Sequence, residues 1–167
     1  MKLTWPERAV YLLVVLIVVG EVLFHNPLRF NQTVQAAGLT MRVPILWTPV
    51  KNQGGGMLVA LRREWVRSGT VDIMDRTANG AKNGPWTMEA ARREQVSVVV
   101  LQAKDRRFSN PKVMDLAAGR FTAVCEEASF DADQALTCYI VGTPLQFSYL
   151  GNRSYEPDAR KMLASLN

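Results

Sequence analysis

The side chains that could perform chemistry in this 167-residue sequence are few and far apart. His25 is the single histidine and stands beside a long apolar segment, so a histidine-based triad or a histidine-rich zinc site is excluded. Glu126 and Glu127 are neighbours in a run that predicts a strand, and consecutive strand residues point to opposite faces. These carboxylates therefore cannot act as an acid and base pair, and we predict that the protein is not an enzyme.

Two short motifs have part of the spacing of a ligand loop. The glycines at positions 54–56 could cradle a phosphate, but no Lys-Ser or Lys-Thr follows them and the next residues predict a strand. Asp131 and Asp133 have the spacing that opens a calcium loop, but the later glycine and glutamate are missing. The first motif indicates a hairpin loop and the second a plain turn. We therefore predict neither a metal nor another cofactor.

The two cysteines, Cys125 and Cys138, are not in a Cys-x-x-Cys pair, which argues against a thioredoxin motif or a zinc finger. They are either a structural disulfide or two buried reduced thiols. Residues 120–130 and 135–141 predict a hairpin around a turn at 131–134, and the midpoint of the two cysteines falls inside that turn. The cysteines would then face each other, so we predict a disulfide that closes a loop of about 14 residues. Such a bond requires an oxidising compartment.

The N-terminal segment is apolar over residues 9–20, and residues 22–24 extend the run past Glu21. We predict an uncleaved transmembrane signal anchor over residues 1–25, although the run is shorter than the roughly 20 apolar residues of a typical span. A cleaved signal peptide is the alternative, but small residues do not follow the apolar core. Lys2 and Arg8 favour a cytoplasmic N-terminus, which places the rest outside a bacterial inner membrane, in the periplasm or beyond. The residues expected to face lipid are Ala9, Leu13, Leu16, Val19 and Leu23.

The remaining chain divides into a tether, residues 26–38, and one folded domain, residues 39–167. Thr87 is expected to cap a helix, with Glu89 in its first turn. Strands are predicted at 40–44, 57–61 and 70–75, a helix at 88–104, strands at 112–116, 120–130, 135–141 and 145–150, and a closing helix from Pro157. This order predicts an α+β domain, in which an antiparallel sheet is flanked by helices.

Together these features resemble the PsbP-like (Mog/PsbP-type) family of extrinsic photosystem proteins and a Ran-binding nuclear factor. The resemblance covers residues 38–167 and rests on three parts of the sequence. They are Leu39-Thr-Met-Arg-Val-Pro44 with Trp47, the hairpin at 57–74 with the long helix after it, and Phe147-Ser-Tyr-Leu-Gly151 before a helix ending Leu163-Ala-Ser-Leu166. The family implies docking onto larger assemblies, and its photosystem members help to retain ions on the lumenal face. No ion-ligand motif is present here, and an N-terminal anchor departs from the processed photosystem proteins.

These observations favour a membrane-anchored accessory or assembly subunit that docks onto a larger membrane protein complex, with a photosynthetic complex as one candidate by fold analogy. The alternative is an envelope-facing module that binds a small ligand or a lipid headgroup. The simplest interpretation of Trp47 and Trp86 is that they are core or lid aromatics. Tryptophan is also enriched at binding hot spots, so these two residues are our candidate docking surface. The net charge of +5 suits an anionic lipid surface or an acidic partner. The arginines occur as scattered pairs without interleaved aromatic residues, so we expect no nucleic-acid partner.

Overall fold

The computed structural model describes residues 5–25, 32–50, 56–63, 68–77 and 85–167. Its helices are α1 (Trp5–His25), α2 (Met88–Gln102) and α3 (Glu156–Ala164), the last preceded by a 3-10 turn at Arg153–Tyr155. Its strands are β1 (Gln32–Ala36), β2 (Leu39–Val43), β3 (Thr48–Pro49), β4 (Met57–Arg63), β5 (Gly69–Asp75), β6 (Phe108–Ala118), β7 (Phe121–Phe130), β8 (Asp133–Ile140) and β9 (Leu145–Asn152).

The described helix α1 consists largely of leucine and valine, and Pro6 stands in its first turn, where proline is tolerated. Its apolar side chains at positions 10–19 are 39% to 66% exposed. At 1.5 Å per residue the helix is about 31 Å long. Within the part of the chain that the structure describes, however, no helix combines the length and the apolar character that crossing a membrane requires.

Seven strands form one antiparallel sheet in the order β3-β4-β5-β9-β8-β7-β6. The prediction of an α+β domain with helices on an antiparallel sheet is confirmed. Strand β6 is longer than the predicted 112–116, because the pairing with β7 shifts register between Ser109 and Lys112 and so accommodates Pro111. Pro111, which stands just before the predicted strand, therefore lies inside β6.

The predicted tether is wrong for residues 32–36, and residues 26–31 lie outside the described part of the chain. Residues 32–36 form β1, which pairs with β2 over five residue pairs. Ala37 and Gly38 both have positive φ, as the tight two-residue turn of such a hairpin requires. On its other edge β2 exchanges two backbone hydrogen bonds between Thr40 and Asn167, at 2.9 and 3.0 Å.

The two faces of the sheet are covered differently. On one face, α3 and the β1–β2 hairpin enclose the larger apolar core, which includes Trp47, Phe147 and Met162. On the other face α2 packs mainly against β6 and β7. A small apolar cluster on this face includes Trp86 and Tyr139. We call these the α3 face and the α2 face.

Candidate functional site

The cysteine pair is placed as the sequence predicts. Phe130 pairs with Asp133 across a two-residue turn, and this register sets Cys125 directly opposite Cys138. The two residues form a disulfide and lie fully buried in the core of the α3 face. The bond therefore joins neighbouring strands inside the domain and has no contact with solvent.

Trp47 and Trp86 do not form a docking surface, and that prediction is corrected. Trp47 is fully buried, with Tyr149 and Tyr155 edge-on to its ring at 6.4 and 6.5 Å. Trp86 is 4% exposed and stacks on Tyr139 at a centroid distance of 4.0 Å. Both indoles are packed in the core. This is the other interpretation that the sequence allowed, in which the two tryptophans are core aromatics.

The predicted anchor residues all fall in α1. Ala9, Leu13, Leu16 and Val19 are exposed. Leu23 belongs to the same helix, and its side chain lies outside the described part of the structure. An exposed row of aliphatic side chains this long is unfavourable in water, because burial of each such side chain is worth about 1.5–3 kcal/mol.

A row of polar side chains crosses the α2 face of the sheet. The strand register places its members side by side on β7, β8, β9 and β5, in the order Glu126, Thr137, Ser148 and Asp72. Adjacent strands lie about 4.8 Å apart, so the row is about 14 Å long. We call these four residues the polar row. Helix α2 covers its Glu126 end, and the other three members are half-buried.

The carboxyl groups at the two ends of the polar row are both unfavourably placed as anions. Burial raises the pKa of Glu126, while hydrogen bonds from Gln102 and Thr137 act in the opposite direction. Burial likewise raises the pKa of Asp72, and the positive charge of Arg62 partly offsets this. The desolvation of the carboxylate is the largest effect in each case.

Acceptor oxygens accumulate around the row. Gln146, which is 8% exposed, donates through Nε2 to Ser148 Oγ at 2.9 Å. Gln95 is fully buried and donates through Nε2 to the carbonyl oxygens of Val124 and Thr137, at 3.2 and 2.7 Å. Among the described residues, the Oε1 atoms of both glutamines and Oε2 of Glu126 have no hydrogen-bond partner. Such an arrangement suits a molecule that donates hydrogen bonds.

Helix α2 departs from the usual amphipathic pattern. Toward the sheet it places Ala91 and Gln95, with Val98, Val99 and Gln102 half-buried. Toward solvent it leaves Val96, Val100 and Leu101, which are 46%, 50% and 67% exposed. A surface helix normally turns its apolar stripe to the core. The side of α2 that faces away from the sheet therefore carries exposed aliphatic residues as well as charged ones.

The ion pairs of the α3 face are structural. Arg63 and Asp158 are both buried, 3.4 Å apart, and the Arg63 guanidinium stacks on the Tyr155 ring at 3.9 Å. Arg160 donates to Glu127 and to Glu156, tying α3 to β7. The two adjacent glutamates are thus separated as the sequence predicts, with Glu126 on the α2 face and Glu127 on the α3 face.

The structure also locates the other residues that the sequence singled out as possible ligand loops. Asp131 has positive φ in the β7–β8 turn, and Asp133 begins β8. Residues 54 and 55 lie outside the described part of the chain. Among the described residues, no group of three or more His, Cys, Asp and Glu side chains could hold a metal ion.

Sequence reasoning missed the polar row and the outward apolar side of α2. The four members of the row are separated by up to 76 positions, and only the strand register brings them together. For α2 a signal was present, because residues 96 and 98–101 form a nearly continuous aliphatic run. Such a run is too apolar for a helix that buries only one side.

Comparison with known proteins gives fold-level similarities only. No protein-family model matches the chain, and no curated protein matches it. The chain is similar to the solution structure of cyanobacterial PsbP (CyanoP) from Synechocystis, with a TM-score of 0.47 and 12% identity over 81% of this chain and 91% of that one. It is also similar to a crystal structure from Bacteroides thetaiotaomicron, with a TM-score of 0.43 and 11% identity over 77% of this chain. The match spans 44% of that second protein, less than half of its length.

Proposed function

We propose that this protein is a membrane-attached accessory subunit, in which α1 holds the chain at a bilayer and the folded domain contacts a larger membrane protein complex. The observation that carries the proposal is the exposed aliphatic surface of α1 at positions 10–19. A bilayer is the environment in which that surface is stable. Six residues, 26–31, separate α1 from β1 and keep the domain close to whatever α1 binds.

Attachment also allows a domain that makes only modest contacts to act as a subunit. Confinement at the membrane raises its effective concentration near membrane proteins, so modest contacts suffice. The disulfide agrees with a domain on the oxidising side of an inner membrane. A photosynthetic complex is one specific partner that this proposal includes, and it follows from the family resemblance of the sequence alone.

Two measurements on the full-length protein test the proposal. After carbonate washing of membranes, we expect the protein in the pellet, and protease added from the outer side should digest the domain. After extraction in mild detergent, we expect it to elute with a membrane protein complex in fixed stoichiometry. Release by carbonate would refute insertion, and a monomer in every mild detergent would refute the subunit role.

The polar row supports a second function, a site for a small molecule that donates hydrogen bonds. Thr137, Ser148 and Asp72 are half-buried, and Gln146 Oε1 beside them has no partner among the described residues. Titration of the protein with amines and polyols should raise its Tm for a ligand of this kind, and Ser148→Ala should remove the shift. Ser109→Ala, on an exposed part of β6, is the control. A panel without any shift would count against the site.

A further inference from the structure

The outward side of α2 carries cations as well as aliphatic side chains. Arg93 and Val100 lie seven residues apart on α2, Val96 and Leu101 flank them, and Lys104 stands two residues past the end of the helix. All five are exposed. We call these five residues the α2 outer face.

Beyond its C-terminal end the basic character continues. Lys104, Arg106 and Arg107 are exposed within four positions, and Asp105 between them pairs with Arg107 at 2.6 Å. The residues from 88 to 107 include five arginines and lysines against three acids. The acids of α2 itself, Glu89 and Glu94, lie in its N-terminal half together with Arg92 and Arg93, and the segment that directly follows the exposed valines and leucine, residues 104–107, is net basic.

We infer that the α2 outer face rests on an anionic lipid bilayer, with Val96, Val100 and Leu101 entering the boundary between headgroups and acyl chains. Arg93 and Lys104 then meet lipid phosphates. A helix with an aliphatic side and basic residues among it has the composition of interfacial helices. This inference rests on the proposed attachment of α1 to a membrane.

Three features favour a bilayer as the occupant. Val96, Val100 and Leu101 stay 46%, 50% and 67% exposed, so packing on the sheet does not account for these three aliphatic residues. The cations are complementary to the negative surface potential of anionic lipids. The six residues between α1 and β1 extend at most about 20 Å, so a domain held by α1 lies within reach of the surface.

The test uses the full-length protein in phosphatidylcholine vesicles with and without phosphatidylglycerol. Leu101→Trp reports contact, through quenching of its fluorescence by lipids brominated on the upper acyl chain. Ala164→Trp is the matched control, because Ala164 is exposed on α3, on the opposite face of the sheet. Trp5 of α1 is replaced by Phe in every variant, and the signal of that background protein is subtracted. We then expect a blue shift and strong quenching for Leu101→Trp in phosphatidylglycerol vesicles, much less without the anionic lipid, and no added quenching for Ala164→Trp.

The charge contribution is tested by adding Arg93→Gln and Lys104→Gln to Leu101→Trp. A basic residue at an anionic surface contributes about fivefold in affinity, so losing both should shift the contact equilibrium about 25-fold toward release. Far-UV circular dichroism of each variant checks the fold. A protein that floats with the vesicles but shows equal quenching at positions 101 and 164 overturns this inference alone. A protein that does not float overturns the attachment of α1, and this inference with it.

Discussion

Glu126→Gln should stabilise the protein at neutral pH, although it removes a buried hydrogen-bonding carboxylate. In the native domain this side chain is 4% exposed, and its Oε2 atom has no partner among the described residues. A buried polar atom without a partner costs about 1–3 kcal/mol. The hydrogen bonds from Gln102 and Thr137 offset part of this cost, and both can be made to the amide oxygen of a glutamine. We therefore expect a gain of about 1–2 kcal/mol in the free energy of unfolding at pH 7.

The pH dependence of the gain follows from the raised pKa of Glu126. A group whose pKa is higher in the folded than in the unfolded state contributes stability that is fully present below the unfolded value. That contribution is lost as the pH rises through the folded pKa. The advantage of Glu126→Gln over the native protein should therefore be largest at neutral pH and shrink as the pH falls toward 4.5, the ordinary pKa of a glutamate side chain.

The neighbouring residue provides the matched control. Glu127 lies on the α3 face, where it accepts from Arg160 and pairs with Lys112 at 3.4 Å. Glu127→Gln removes the same charge one position away, but it breaks these ion pairs and should destabilise by about 1 kcal/mol at pH 7. The sign of the two effects should thus be opposite.

Urea unfolding of both variants and of the native protein between pH 4.5 and pH 8, in the same detergent, measures these differences. If Glu126→Gln were destabilising at pH 7, or if its effect were independent of pH, the carboxylate would not be carrying an uncompensated desolvation cost. The interpretation that burial makes the Glu126 anion unfavourable would then be wrong.

Two further predictions concern the core. Unreduced, denatured protein should show no free thiol, and replacing Cys125 and Cys138 by alanine should lower the stability by about 3 kcal/mol, the chain-entropy value for a loop of this length; two free thiols before reduction would contradict the bond. Gly119→Ala should destabilise much more than Gly142→Ala in thermal unfolding, because both glycines have positive φ but only at Gly119 would a Cβ lie 1.3 Å from the carbonyl oxygen of Leu166. Equal losses would show that backbone strain alone matters.

The disulfide and the helix α2 were predictable because short stretches of sequence decide them. Once the turn at Asp131 is placed, the two-residue period of a strand fixes which residues face each other, and Cys125 meets Cys138. Thr87 caps α2 through a hydrogen bond from the Ala90 amide at 3.1 Å, which sets the start of the helix locally.

Burial and register needed the tertiary structure. Trp47 and Trp86 are buried against tyrosines about 50 to 108 positions away in the chain. The residues next to a tryptophan in the sequence therefore do not show whether its indole is buried. Strand β1 consists of mostly polar residues, and only its pairing with β2 distinguishes it from a tether. A polar segment has little intrinsic preference for the extended conformation, so pairing with a neighbouring strand decides whether it becomes a strand.

The sequence by itself determined the order of α2, the strands β6 to β9 and α3, the opposite faces of Glu126 and Glu127, and the apolar character of α1. These follow from local propensity and from the periods of helix and strand, which act over a few residues. The tertiary structure decided which side of α2 meets the sheet, and so left Val96, Val100 and Leu101 exposed while it buried Gln95. It also brought Asp72 and Ser148 into one row with residues of β7 and β8. Such contacts depend on how strands far apart in the chain pair, and periodicity within one segment carries no information about that pairing.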